Sequence, residues 1–273
     1  MLNREDQEKV YAHAYLPEHL PAYLKSVTAS EPHLREDHLY LFKRPHLTLI
    51  GYPLKEGPAT TPGVYESLCK DLQPETVAII APKIWLPSGT YEAQPEDDYF
   101  RLELPLGVLP QGVAYMVRRA KRELRVVGGR FGREHKRLIR EFLSSHRLTP
   151  AQKKIYKTIP DYLKCASTAR LLEARKGDHL AAFNILDLGA ADYAFYLFNF
   201  RSRMSVPGAS DLLFVEMADM ARAEGKGAMN LGLGINPGIR RFKEKWGARP
   251  FLTHASALVH RKPLGMGSLA NKL

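Results

Sequence analysis

Residues 230–251, NLGLGINPGIRRFKEKWGARPF, run a strand, a glycine turn and a cationic helix together in one short stretch. Residues 228–233 are an apolar run of strand length, Gly232, Gly234 and Gly238 free the backbone to turn, and residues 239–246 have the spacing of a short amphipathic helix. Strand, turn and helix in that order make an anion site where the helix begins. A dinucleotide fingerprint is excluded by spacing. The glycines read G-x-G-x-x-x-G, Pro237 stands where the third glycine belongs, and no acidic residue follows about 20 positions on. Lys226, between Gly225 and Gly227, follows a helical pattern and precedes no Ser or Thr, so it is not part of a phosphate loop.

With 273 residues and 45% hydrophobic content, the chain can bury one large core or two smaller ones. No run of about 18 apolar residues occurs, and the first residues lack the basic then apolar build of a secretory signal. The expectation is a soluble, cytoplasmic protein, with peripheral attachment at the inner membrane face as the variant. Cys69 and Cys165 lie far apart without cysteine neighbours, so neither a disulfide framework nor a cysteine zinc site is indicated, and both read as buried small hydrophobes. G-x-S-x-G and H-E-x-x-H are absent, which removes the nucleophile elbow and the zinc hydrolase helix.

The net charge of +11 is concentrated. Residues 116–157 hold 14 Lys and Arg against Glu123, Glu134 and Glu141, so this belt carries the whole excess. Like charges crowded this way destabilise a fold unless something anionic uses them: nucleic acid, lipid headgroups or coenzyme A phosphates. Arg133, Lys136, Arg137 and Arg140 are the candidate polyanion contacts, and a solvated helix face is the alternative.

Residues 7–30 and 31–43 read as helices with short breaks, 46–52 as a strand, 62–72 as a helix, 76–81 as a buried strand, 88–98 as a loop and 98–104 as a half-buried strand. Phe131, His135, Leu138, Ile139 and Phe142 share one face of a helix over 131–143. Thr149, Pro150 and Gln152 spell a capped helix start. A helix restarted by Pro160 and Asp161 is expected to reach Arg175, with a turn at 177–178 into strands 181–188 and 193–201 and a helix opened by 206–211. Residues 46–104 and 193–260 repeat the order strand, helix, strand, later strand, which points to two related lobes, 1–125 and 126–273, and to α/β or α+β layering.

Leu231-Gly232 followed by Phe242-Lys243 and Gly247 resembles the closing motif of the Fem-type branch of the GNAT acyltransferases, whose relatives include phosphatidylglycerol lysyltransferase catalytic domains. The resemblance covers about residues 165–258. It implies an α/β fold (α+β mixed sheet) of two GNAT-like lobes, each a central mixed sheet flanked by helices, with the N-terminal lobe degenerate. It implies a transferase moving an acyl or aminoacyl group from acyl-CoA or aminoacyl-tRNA to an amine or hydroxyl, without a metal. tRNA, or an anionic lipid or membrane surface, would be the large partner.

By that resemblance the acyl group enters a gap between strands 193–201 and 228–233. Lys243 is then catalytic or charge-stabilising and Asn230 orients a substrate amide, while Arg201, Arg203, Gly208, Ala209, Ser210, Gly232 and Gly234 hold the donor. Asp211 and Glu216 are candidate bases. The residues also admit plainer readings: Lys243 as a surface lysine beside a buried Phe242 and Trp246, Asn230 as a backbone ligand, Ser205 or Ser210 as a helix cap. The chain has neither the tRNA-binding coiled-coil arm nor the membrane domain of some relatives, and residues before Pro207 lack the glycine-rich pyrophosphate signature, so the donor stays open. The competing class is a non-catalytic RNA-binding or anionic-membrane-binding protein on a decayed GNAT scaffold.

Overall fold

The computed structural model describes residues 1–55, 57, 60–203 and 206–261. The first half of the chain forms α1 (Arg4–His13), α2 (Pro21–Thr28), β1 (Pro32–Arg35), β2 (His38–Lys43), β3 (His46–Ile50), α3 (Thr61–Leu72), β4 (Thr76–Ala81), β5 (Glu92–Ala93), β6 (Asp97–Glu103) and α4 (Gln111–Glu123). The second half forms β7 (Arg125–Gly128), α5 (Arg133–Ser145), α6 (Pro150–Lys157), α7 (Ile159–Cys165), β8 (Ala169–Lys176), β9 (His179–Asp187), β10 (Tyr193–Arg201), α8 (Ala209–Ala223), β11 (Ala228–Leu233), α9 (Pro237–Glu244) and β12 (Arg249–His260). The architecture is the expected α/β mixed sheet flanked by helices on both faces.

Among the described residues the strands join one mixed sheet in the order β1-β2-β3-β4-β12-β6-β11-β10-β9-β8-β7, with β5 beside β12. The two halves exchange strands. β6, from the first half of the chain, pairs with β11, while β12, from the end, runs antiparallel to both β4 and β6. Neither half completes its sheet alone.

Two sequence expectations need correction. Residues 31–43 are strands, not helix: Leu39 and Leu41 enter one core while Tyr40 and Phe42 pack on the other face, a period of two. The helix restarted at residue 159 ends at Cys165, and 169–176 is β8, whose Leu171 and Leu172 face opposite cores. Burial on both faces removed the alternation that would have marked it. Cys69 is buried as expected, but Cys165 is exposed. The cap at Thr149 forms in full, its side chain accepting from Gln152 N–H and Gln152 returning the bond.

The two parallel strand pairs differ in a way that places the site. β3 and β4 pair along their whole length, from His46–Thr76 to Ile50–Ile80, and Gly51 N–H continues onto the Ile80 carbonyl. β10 and β11 pair only from Tyr193–Ala228 to Phe195–Asn230 and then part, although β10 continues to Arg201. A bulge in each strand drives them apart at that level: between Tyr196 and Phe198 against β9, and between Asn230 and Leu233 against β6. Gly232, at φ +72°, supplies the second. The gap is open in the C-terminal half and closed in the N-terminal half.

Candidate functional site

Lys243 sits at this opening. Ile239, Phe242, Lys243 and Trp246 follow the i, i+3, i+4, i+7 stripe of an amphipathic helix, so Lys243 occupies a core-facing position although its neighbours Arg241 and Glu244 are exposed. It is only 2% exposed, which rules out the surface-lysine reading. Its Nζ donates to the carbonyl oxygens of Gly232 at 2.8 Å and Leu233 at 2.5 Å, and lies 5.3 Å from the centre of the Phe100 ring. Burial lowers its pKa to about 7; the Asp97 carboxylate works against that shift and Arg240 adds to it.

The turn from β11 to α9 is pinned from β6. Asp97 Oδ2 accepts the Ile235 N–H at 2.6 Å, and its Oδ1 takes Arg240, which also reaches Asp98 at 3.2 Å. Gly234 leaves room for that ion pair: a Cβ there would stand 2.5 Å from Arg240 Nε and 2.7 Å from Asp97 Oδ1. Ile235 is held at φ +54°, a strained conformation for a β-branched residue, and is exposed. Asn236 caps α9 by accepting from Gly238 and Ile239 N–H at 3.0 Å, with Pro237 as first helical residue.

Asn230 is fully buried and both ends of its amide are used on backbone. Its Nδ2 donates to the Tyr15 carbonyl at 2.8 Å and its Oδ1 accepts from Gly232 N–H at 2.7 Å. It therefore fixes the bulge whose carbonyl holds Lys243, and joins it to the N-terminal segment.

The start of α8 is built differently from a serine-capped helix. Gly208, at φ +86°, is the N-cap, and a Cβ there would lie 2.4 Å from the Met116 carbonyl oxygen of α4. Ser210 is not the cap, a correction of the sequence reading. Its hydroxyl donates to Asn199 Oδ1 at 3.2 Å, and the Asn199 amide bonds Asn184 of β9. Ser205 lies outside the described residues. Ala209 is buried in the first turn, and Asp211 pairs with Lys245. Glu216 pairs with Lys121 at 3.3 Å. Arg201 and Arg203 are exposed where β10 leads toward α8. Tyr196 of β10 stacks on Phe242 at 6.3 Å, and burial, then the Asp211 charge, raises its pKa.

The structure thus brings Lys243, Gly232 and Asn230 together by direct bonds, and Gly234 beside them. Gly208, Ala209 and Ser210 form the separate α8 terminus. Arg133, Lys136, Arg137 and Arg140 project from α5, which packs on the β9–β10 face with α7, whereas α4 packs on the opposite face with α8. The belt therefore wraps around the edge strand β7 and does not form one surface. Sequence reasoning missed Asp97, Arg240 and Phe100, which come from a distant strand or are indistinguishable from surface charge. A groove of about 670 Å³ opens beside the C-terminal end of α9, with Arg101, Lys245, Trp246 and Arg249 on its wall. No helix among the described residues is long and apolar enough to cross a membrane.

No protein-family model and no curated protein sequence matches the chain. Solved structures do. The C-terminal domain of a putative lysylphosphatidylglycerol synthetase from Agrobacterium fabrum aligns at 15% identity and TM-score 0.61, over 96% of this chain and 93% of that one. FemX aligns at 12% and 0.63, over 93% and 96%. A tandem GNAT protein from the clavulanic acid biosynthesis pathway aligns at 12% and 0.54, over 96% and 97%. The chain has a tandem GNAT-like fold. Of its two parallel strand pairs, β3–β4 stays closed and β10–β11 splays.

Proposed function

We propose that the chain is an acyl- or aminoacyltransferase that takes its group from acyl-CoA or aminoacyl-tRNA and gives it to an amine or hydroxyl. The observation that carries this reading is Lys243: a buried amine, with a pKa near neutrality, bonded to the strand end at the mouth of a splayed parallel pair. Beyond Phe195, the β10 edge facing β11 has no ladder partner among the described residues, and its backbone groups there can meet a donor carbonyl. Two N–H bonds of Lys243 go to carbonyls. The third position carries a proton or a lone pair at neutral pH, suited to stabilising an oxyanion or protonating the leaving thiolate or alkoxide.

In this reading Asn230 is a positioning residue, acting through the Gly232 bulge. The donor's phosphates lie near Arg201, Arg203 and the α8 terminus at Gly208, Ala209 and Ser210. Gly232 and Gly234 shape the turn beside it. Arg133, Lys136, Arg137 and Arg140 give a tRNA donor or an anionic membrane a second contact, and the lobes divide near residue 125. The folds shared with FemX and the lysylphosphatidylglycerol synthetase domain support the transferase class. A non-catalytic polyanion-binding protein accounts for the belt but not for Lys243, because burying an amine that must shed its charge destabilises a scaffold with no use for it.

Equilibrium binding of acetyl-CoA and of charged tRNA, followed by turnover with wild type and Lys243→Ala, tests the proposal. Binding of one donor and loss of transfer in the variant support it. Binding of neither donor, or full transfer without the lysine, overturns it.

A further inference from the structure

Glu18 carries a buried carboxylate oxygen that no group among the described residues pairs with. The residue lies in the 3₁₀ turn Pro17–His19 between α1 and α2. Its Oε2 is shielded from solvent and makes no hydrogen bond, and Tyr99 Oη is buried and unbonded in the same way. Burial holds the carboxyl above the ordinary glutamate range, against the opposing pull of its own backbone N–H and of the Tyr99 phenol. Among the described residues no lysine or arginine pairs with Glu18. Its neighbour His19 is neutral, held by burial at about 4, with Nε2 against the Tyr52 carbonyl at 3.0 Å. His254, edge-on to Tyr99 at 5.6 Å, is likewise lowered by burial.

The place of this carboxyl matters as much as its isolation. Tyr99 stands on β6 opposite Leu233 of β11. Tyr23, on α2, has its ring 6.5 Å from Phe198 of β10, and Tyr52 meets Tyr99 edge-on at 6.0 Å. The Glu18 charge acts on all three tyrosines. The turn that carries Glu18 lies between two cores at that level: Leu16 packs in the cluster of Tyr52 and Tyr99, and Leu20 in that of Phe195 of β10, the last residue of β10 paired with β11. Lys243 borders the same gap from the other face, against Phe100 in the α8 core. Leu233 links the two: its carbonyl takes Lys243, and its side chain packs with Tyr52 and Tyr99.

We infer that Glu18, with Tyr99 beside it and Tyr23 and Tyr52 nearby, is the binding site for the primary ammonium group of a reactant lying in the gap. A carboxylate with one oxygen buried and no counter-charge beside it destabilises the empty protein, and an ammonium supplies the charge it lacks. Tyrosine faces add cation–π attraction, and Tyr99 Oη supplies a polar contact. The inference rests on the transferase reading for what the reactant then does. The ammonium has two possible sources, the α-amino group of an aminoacyl donor or the amine acceptor. For an acceptor, the carboxylate takes one proton from the ammonium, leaving a neutral carboxylic acid and an amine whose lone pair is free to attack.

Calorimetric titration of the full chain at pH 7.5 tests this with two ammonium probes, L-alaninamide and n-butylamine, and two neutral counterparts, N-acetyl-L-alaninamide and 1-butanol. Wild type is expected to bind each ammonium probe at least about tenfold more tightly than its neutral counterpart, and Glu18→Gln to lose that preference while keeping its melting temperature. Tighter binding of alaninamide assigns the site to the donor, tighter binding of butylamine to the acceptor, and both support it. Equal affinity for charged and neutral probes in wild type overturns the inference without any variant, as does a preference that survives Glu18→Gln. A protein that prefers ammonium probes but binds neither acetyl-CoA nor charged tRNA keeps this site and loses the transferase reading. The converse result keeps the transferase and loses the site.

Discussion

The Nζ of Lys243 donates to the Gly232 carbonyl at 2.8 Å, so the one lysine buried in α9 is anchored to the bulge that parts β11 from β10. That bond ties a protonation state to the geometry of the gap. Removing the amine is expected to lower transfer about 10²- to 10³-fold in Lys243→Ala, the size of effect seen when a single charge-stabilising donor is lost. Turnover in wild type should show a limb near pH 7, the limb absent from the variant; a flat profile through that pH in wild type argues against the assignment.

The same lysine makes stability depend on pH in a definite direction. Its pKa falls from 10.5 in the unfolded chain to about 7 in the fold. Below about 7 it is charged in both states and the full cost of burial is present; above 10.5 it is neutral in both and that cost is gone. Stability of wild type relative to Lys243→Met therefore rises between pH 7 and 10.5, by up to about 5 kcal/mol. Urea unfolding of both proteins at pH 6.5 and 9.5 measures it, and a pH-independent difference contradicts it.

Asp97 and Arg240 pull the Lys243 pKa in opposite directions. Asp97→Asn is expected to move the limb of the pH profile down, and Arg240→Met to move it up. Carbon-detected NMR titration of the lysine Cε reads the same shifts without turnover. Parallel movement in both variants would mean that the turn has rearranged.

Asn230→Ala strands two half-buried backbone groups, the Tyr15 carbonyl and the Gly232 N–H. The expected cost is about 2–4 kcal/mol, seen as a lower urea midpoint, together with loss of the Lys243 limb as the bulge relaxes. Unchanged stability would show that water replaces the amide at both groups.

Gly208→Ala and Gly225→Ala separate strain from collision. Both glycines have positive φ, +86° and +75°, but only Gly208 has backbone, the Met116 carbonyl, within 2.4 Å of the added Cβ. Gly225→Ala should cost about 1 kcal/mol and Gly208→Ala clearly more, since α4 must move off the start of α8. Thermal unfolding of both decides it; equal losses would mean that the α4 contact yields freely.

Neutralising Arg133, Lys136, Arg137 and Arg140 on α5 should reduce the salt dependence of tRNA binding by a slope of about three. Neutralising Arg118, Arg119 and Arg122 on α4, across the sheet, should not. Equal effects from the two faces would point to a diffuse field in place of a contact surface.

Much of this was legible before folding. The strands at 193–201 and 228–233 have the predicted limits because short apolar runs bounded by turn residues allow little else. Lys243 was legible in type but not in environment. Its position in the stripe Ile239, Phe242, Lys243, Trp246 is visible in the spacing, yet a lysine at a core position reads as surface until the core is known. Residues 31–43 and 169–176 were misjudged because strands buried on both faces lose their alternation.

Local sequence thus determined most elements outside 31–43 and 169–176, the cap at Thr149 and the turn at Gly232, since these depend on backbone preferences a few residues apart. Tertiary structure decided the site. The strand exchange of β6 and β12 sets Asp97 against Arg240 and Phe100 beside Lys243, and it sets Tyr99 beside Glu18. Those pairings join residues remote in sequence, and whether a charge is buried or wet depends on which strand the fold lays next to it. No local pattern carries that information.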